Sequence, residues 1–239
     1  MRAALLQAFQ PVPALGVGSF HAFRYESGTM SDLGTVSVYN GYARGHGIND
    51  AGEIVGRASL TTFFSSDKHM AHWETDGTLN SVTTSGTYST GQQINNNGVI
   101  VGNGRVSGSN TQYGMIWDSG VLTVLGDLGG NGSRLWSIND AGVAVGWARD
   151  ADNIKWALVT YDGGQTIVDL NTLVTGLGDF TTLNEAYDVN ENGNIAGYGT
   201  LSDGSQGAFV ISIVPIPAAV WLFASGLGML GWIRRRSTS

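Results

Sequence analysis

The stretch Ile48-Asn49-Asp50-Ala51-Gly52-Glu53-Ile54-Val55-Gly56 decides the fold, because the chain writes it four times. It returns as Ile94-Asn95-Asn96-Asn97-Gly98-Val99-Ile100-Val101-Gly102 and as Ile138-Asn139-Asp140-Ala141-Gly142-Val143-Ala144-Val145-Gly146. A fourth copy reads Val189-Asn190-Glu191-Asn192-Gly193-Asn194-Ile195-Ala196-Gly197. The asparagines Asn49, Asn95, Asn139 and Asn190 are spaced by 46, 44 and 51 residues. The turn glycines Gly52, Gly98, Gly142 and Gly193 and the closing glycines Gly56, Gly102, Gly146 and Gly197 hold the same places in every copy. Asparagine followed three residues later by glycine predicts a tight hairpin: the amide side chain caps the turn, and glycine takes positive φ without a steric penalty. The alternating residues beyond it predict a strand, and the closing glycine predicts a bulge or a close backbone approach.

A second element alternates with the first. It runs over His21–Gly34, His69–Val82 and Tyr113–Gly126, then more loosely over Ala157–Leu170, and begins again at Gly207–Ser212. Each copy is read as an aromatic strand, ending at Tyr25, Trp73, Trp117 or Tyr161, then a polar turn with glycine and a second short strand. One repeat is therefore four strands, and four-stranded units of about 45 residues in tandem predict an all-β fold of propeller type. The chain opens with the later half of a unit and closes with the earlier half of another. This predicts a small ring of about four blades, completed by joining the two ends. The runner-up is an open twisted array or a β-sandwich.

Composition agrees with such a chain. Its 239 residues are 42% hydrophobic and 13% charged, with 36 glycines, four prolines and no cysteine. Absence of cysteine excludes disulfides, thiolate chemistry and cysteine-bound zinc. The net charge is −7, and without three arginines at the C-terminus 9 basic residues stand against 19 acidic ones, a net of −10. So acidic a body excludes nucleic acid as a partner, which needs clustered cations.

Chemistry is sparse. Asp188-Val189-Asn190-Glu191-Asn192-Gly193 has the opening of a calcium loop, but position twelve falls on Gly199 and the other copies lack the first acid, so it is read as a turn. His69 and His72 on one strand point to opposite faces and do not form a metal pair. Gly129–Gly132 is read as a loop with no phosphate-cradle context. Trp136, Trp147 and Trp156 are read as packing between blades, with a sugar-binding surface as the alternative. No catalytic residue, cofactor or metal is assigned.

The C-terminus carries a different signal. Residues 214–239 read Val214-Pro215-Ile216-Pro217-Ala218-Ala219-Val220-Trp221-Leu222-Phe223, then a glycine-rich apolar run through Leu227, Leu230 and Trp232 to Ile233, then Arg234-Arg235-Arg236. Residues 218–233 carry no charge, and as a helix would span about 24 Å, near the ~30 Å of a hydrocarbon core. The arginines, in a basic tail over 234–239, would stay cytoplasmic. This predicts a transmembrane helix at the inner membrane with the body on its far side. Export calls for a leader, but the apolar run within Met1–Phe9 is short for one. The expectation is that residues 1–19 are what remains of a longer N-terminus.

Two family resemblances follow from these residues. The order of proline motif, Ala-Ala-x-Trp-Leu-Phe, apolar run and arginine cluster resembles the PEP-CTERM sorting signal of Gram-negative bacteria, over residues 213–239. That resemblance implies recognition and processing near Val214–Ala219 by an exosortase, with residence at the cell surface or in the extracellular polysaccharide. Pro215-Ile216-Pro217 stands where the family name has Pro-Glu-Pro, which leaves the exosortase subtype open. The body, residues 20–212, resembles the extracellular HAF repeat through His21-Ala22-Phe23, Asp32-Leu33-Gly34 and Ile48–Gly56. The reading is thus an exported, non-enzymatic surface protein. Its rivals are a carbohydrate-binding or other ligand-binding adhesin of the extracellular matrix or biofilm and, less favoured, a secreted propeller hydrolase.

Overall fold

The computed structural model describes residues 20–35, 42–59, 68–82 and 88–212. Segments 1–19 and 213–239, and with them the sorting motif, the membrane helix over 218–233 and the arginine stop, lie outside the described residues. Among the described residues no helix is long and apolar enough to cross a membrane.

The architecture is all-β, and its unit is the antiparallel four-stranded sheet. β3 (Ala43–Ile48), β4 (Ile54–Ser59), β5 (Lys68–Trp73) and β6 (Leu79–Val82) form the first complete sheet in sequence order. β7 (Ser89–Ile94), β8 (Ile100–Arg105), β9 (Gln112–Asp118) and β10 (Val121–Val124) form the second. β11 (Gly129–Ile138), β12 (Ala144–Asp150), β13 (Lys155–Thr160) and β14 (Val168–Asp169) form the third. A hairpin of β1 (Phe23–Glu26) and β2 (Thr29–Asp32) precedes them, and a three-stranded sheet of β15 (Phe180–Val189), β16 (Ile195–Leu201) and β17 (Gln206–Ile211) follows. Gly129–Gly132, read above as a loop, is the start of β11, where the register is irregular between Gly129 and Ser133.

Each repeat builds its sheet by the same local rules. The first strand bends at one skipped residue, His46, Gln92, Trp136 or Tyr187, where the pairing register shifts three residues before the turn asparagine. A bulge there twists the strand and re-aims the skipped side chain. Across from it sit the closing glycines. A Cβ on Gly56, Gly102, Gly146 or Gly197 would fall 1.8, 2.0, 1.8 or 2.1 Å from the carbonyl oxygen of Arg44, Thr90, Arg134 or Glu185. Only glycine admits so close a backbone. The turn glycines Gly52, Gly98, Gly142 and Gly193 take φ of +88°, +79°, +81° and +79°.

The core is four apolar layers, one in each gap between successive sheets. Ala22 and Leu33 of the hairpin region pack on Ala43, Ile54, Ala71 and Trp73. Val55, Met70 and Val82 meet Ile94, Ile100 and Met115 in the next gap. Val101, Ile116 and Leu125 meet Leu135, Ile138 and Leu158, and Val145, Val159 and Leu170 meet Leu183, Val189, Ile195 and Phe209. Adjacent residues on the second strand, such as Ile54 and Val55, thus serve opposite gaps, as the two-residue strand period demands. Sheets stacked in sequence order, with no core shared by all of them, form a propeller-like series.

Two further expectations need correcting. Thr160, not Tyr161, is the counterpart of Trp73 and Trp117: Ala144 pairs Thr160 as Ile54 pairs Trp73 and Ile100 pairs Trp117. Tyr161 lies past the strand end and is 48% exposed. Among the described residues, moreover, no pairing joins β17 to the hairpin, and the series stays open. The physical reason is strand position. β1 and β17 are both third strands, so closing a ring of four would place both on the same edge of β16.

Candidate functional site

The turn residues that recur in every repeat form two ladders running from sheet to sheet. Each asparagine Oδ1 accepts its own turn's backbone N–H: Glu53 N to Asn49, Val99 N to Asn95, Val143 N to Asn139 and Asn194 N to Asn190, each at 2.9 Å. Each Nδ2 then donates to the backbone carbonyl of the next sheet's asparagine. Asn49 reaches Asn95 O at 3.2 Å, Asn95 reaches Asn139 O at 3.0 Å, and Asn139 reaches Asn190 O at 3.0 Å. The neighbouring position makes the second ladder: Asp50 N donates to Asn96 Oδ1, Asn96 N to Asp140 Oδ1, and Asp140 N to Glu191 Oε2. Asn96, Asp140 and Glu191 are therefore structural acceptors. Asp188 is engaged as well, its Oδ1 accepting the Ser137 hydroxyl at 2.6 Å. Among the described residues no group of three or more His, Cys, Asp or Glu could hold a metal ion.

The opposite ends of the strands carry cations laid on aromatic rings. Arg57 lies 5.4 Å from the Tyr42 ring and 6.0 Å from Tyr88, and Lys68 lies 4.6 Å from Tyr42. Arg134 lies 4.8 Å from Trp136, and Lys155 lies 4.6 Å from Trp147 while pairing with Glu185 at 3.1 Å. Desolvation lowers the Lys68 ammonium from its ordinary value, and the neighbouring Arg57 and Arg44 push the same way. His46, the bulge residue of β3, donates its Nδ1–H to Gly91 O, 2.9 Å away. Burial is the main cause that lowers its pKa below 6.5, opposed by the Gly91 carbonyl and assisted by Arg57 and Arg44.

Between these two ends, one third-strand position carries a different side chain from gap to gap. Arg24 occupies it in the hairpin and reaches across to Gly52 O, Glu74 O and Thr75 O at 2.8, 2.9 and 2.6 Å. In that gap Trp73 is fully buried, its indole N–H donating to Leu33 O at 3.1 Å. His72 stands at the same position in the next sheet, pairing Val55, and Ile116 in the one after, pairing Val101. A cleft lies in each of these two gaps. The first holds about 440 Å³ and is lined by His72, Glu74, Asn80, Ser81, Trp117 and Leu122 among others. The second holds about 570 Å³ and includes Ile116, Asp118, Thr123, Tyr161, Asp162 and Gln165. In the first, the Trp117 ring leans on His72 at 5.9 Å, and Asn80 Nδ2 donates to Glu74 Oε1 at 2.6 Å.

Trp136 donates to Glu185 Oε1 and Trp156 to Asp150 Oδ2, while Trp147 is buried. His69 and His72 both lie on β5, three residues apart. Sequence reasoning missed Trp117, Glu74 and Asn80 as neighbours, because they come from two successive sheets. The available signal was the exchange of Arg24 for His72 and Ile116 at one repeat position.

No protein-family model matches the chain, and no curated protein matches it. Among solved structures, TolB from Acinetobacter baumannii superposes with a TM-score of 0.43 at 15% identity, over 64% of this chain and 37% of TolB. The chain thus spans a little over a third of that protein. The fungal lectin of Aleuria aurantia, a six-bladed β-propeller with a fucose recognition mode, superposes with a TM-score of 0.39 at 13% identity, over 82% of this chain and 70% of the lectin. What those proteins bind is a property of theirs, and the fold described above stands on its own strand register.

Proposed function

We propose that this chain is an exported, non-enzymatic surface protein: a stack of β-sheets held outside the cell, ending in a sorting signal that an exosortase reads and processes. The observation that carries this reading is the order of residues 214–236, a proline motif, an uncharged apolar run and three arginines. Its counterpart in the body is the fate of the turn acids. Asp140 and Glu191 accept backbone N–H groups from the preceding sheet, a scaffold duty that leaves them ill placed as general acids or bases.

The membrane tether, the exosortase and residence in the outer envelope or its polysaccharide are parts of this one reading. Its test is co-expression, behind a functional leader, with and without an exosortase. The expected result is a mass loss matching removal of the region after Pro217. Replacing Pro215 and Pro217 together by alanine should abolish that loss while the body stays folded. A mass loss indifferent to both prolines overturns the recognition role. A second reading, a carbohydrate-binding adhesin, is favoured by the paired clefts.

A further inference from the structure

We infer that the two clefts between successive sheets, at Trp117 and at Tyr161, are binding sites for sugar units of a neutral polysaccharide. The inference rests on the adhesin reading and is independent of how the tail is sorted. Its starting point is recurrence: a cleft lies in two successive gaps, beside the repeat position that Arg24 occupies in the first gap.

Size and chemistry both select the ligand. Volumes of about 440 and 570 Å³ lie in the small-molecule range, and both clefts open to solvent at the sheet edges. Each joins an aromatic ring to carboxylate and amide or hydroxyl groups: Trp117 with Glu74 and Asn80, Tyr161 with Asp162 and Gln165. A pyranose has an apolar C–H face and an equatorial ring of hydroxyls, which suits a ring beside charged acceptors and amide donors. Neither cleft is lined by Lys or Arg, while acids line both. Phosphate, sulfate and uronate groups are thereby disfavoured by like charge.

The polar groups are set before any ligand arrives. Asn80 Nδ2 is tied to Glu74 Oε1, and Arg24 fixes the Glu74 backbone through its carbonyl. Asp162 Oδ1 accepts the Thr166 N–H at 2.9 Å and the Thr160 hydroxyl at 3.1 Å. Rigid placement lowers the ordering cost of binding. Two sites on one body also multiply the strength of weak single contacts with a repeating polymer, since the second contact is intramolecular.

The test is a printed array of neutral and acidic oligosaccharides probed with the full chain in detergent micelles. Tryptophan fluorescence titration with the best neutral oligosaccharide then gives its affinity. Trp117→Ala should weaken binding at one site and Tyr161→Ala at the other, each by about tenfold, and the double variant should lose multivalent retention on the polymer. Glu74→Gln and Asp162→Asn change exposed carboxylates without removing an aromatic, so they repeat the test should Trp117→Ala unfold the second sheet. Binding of neutral sugar that survives all four changes would overturn these sites while leaving the adhesin reading intact. No neutral sugar retained by the unaltered chain would overturn both.

Discussion

At the scale of single residues, asparagine recurs in this chain because one side chain does two separable jobs. Its oxygen caps the turn and its nitrogen pins the next sheet. Asn95 does both, to Val99 N and to Asn139 O, and is buried. Asn190 caps its own turn through Asn192 N and Asn194 N but lies exposed at the last described sheet. Asn95→Ala should therefore cost about 1 kcal/mol more than Asn190→Ala, because it loses the inter-sheet bond as well as the turn cap, at roughly 1 kcal/mol per net hydrogen bond. Urea unfolding of both variants measures the difference, and equal costs would show that the inter-sheet bond contributes nothing. His46 gives a pH test at the same scale. Burial lowers its folded pKa below 6.5, so below that pH the unfolded chain takes up a proton that the folded chain refuses. Stability should fall as pH drops from about 6.5 toward the lowered folded value. His46→Gln, which installs the side chain found at the equivalent bulge residue Gln92, should flatten that part of the profile. A slope left unchanged by the substitution would assign the loss to another group.

At the scale of elements, the unit was legible because it is local. A turn asparagine, a turn glycine and a closing glycine act within a dozen residues, so their pattern names the hairpin without knowledge of the rest. The positive φ at Gly98 and the 2.0 Å approach that a Cβ on Gly102 would make to Thr90 O are consequences of the same short stretch. What the pattern left out depends on neighbours. The bond from Asn49 to Asn95 O joins residues 46 apart, and recurrence of asparagine is equally explained by the turn alone. The slip from Tyr161 to Thr160 arises because β13 ends one residue earlier against β12 than an ungapped alignment allows. The clefts were illegible for a similar reason. Each cleft is walled by side chains of two sheets, Glu74 and Asn80 from one and Trp117 from the next in the first case, so it depends on contacts that no single repeat contains. Ring closure was misjudged because two half-units look complementary until each strand is assigned its place: the hairpin brings the fourth strand β2 that the last sheet lacks, but both ends also bring a third strand, β1 and β17, for one edge of β16.

At the scale of the whole molecule, a stack with one apolar layer per gap is a one-dimensional object, and its stability should vary along the series. The second and third complete sheets, β7–β10 and β11–β14, are packed on both faces. The sheet β15–β17 is packed through Leu183, Val189, Ile195 and Phe209 on one face, while on the other Val210 is 73% exposed and Ala196 and Tyr187 are open to solvent. Sub-global opening starts where the fewest apolar contacts must be broken. Native-state amide exchange on the full chain in micelles should show β15, β16 and β17 opening first, and β8, β9, β12 and β13 opening last. A spread of at least ~1.4 kcal/mol in opening free energy between these groups corresponds to a tenfold difference in exchange. The same measurement decides whether the series closes in solution. Were the ring closed through the hairpin, β1 would displace β17 from the edge of β16, so β17 alone would exchange freely while β15 and β16, then facing β3–β6, gained the protection of the inner sheets. An open series instead predicts that all three strands exchange as one unit, since they share the single apolar layer that holds them to β11–β14.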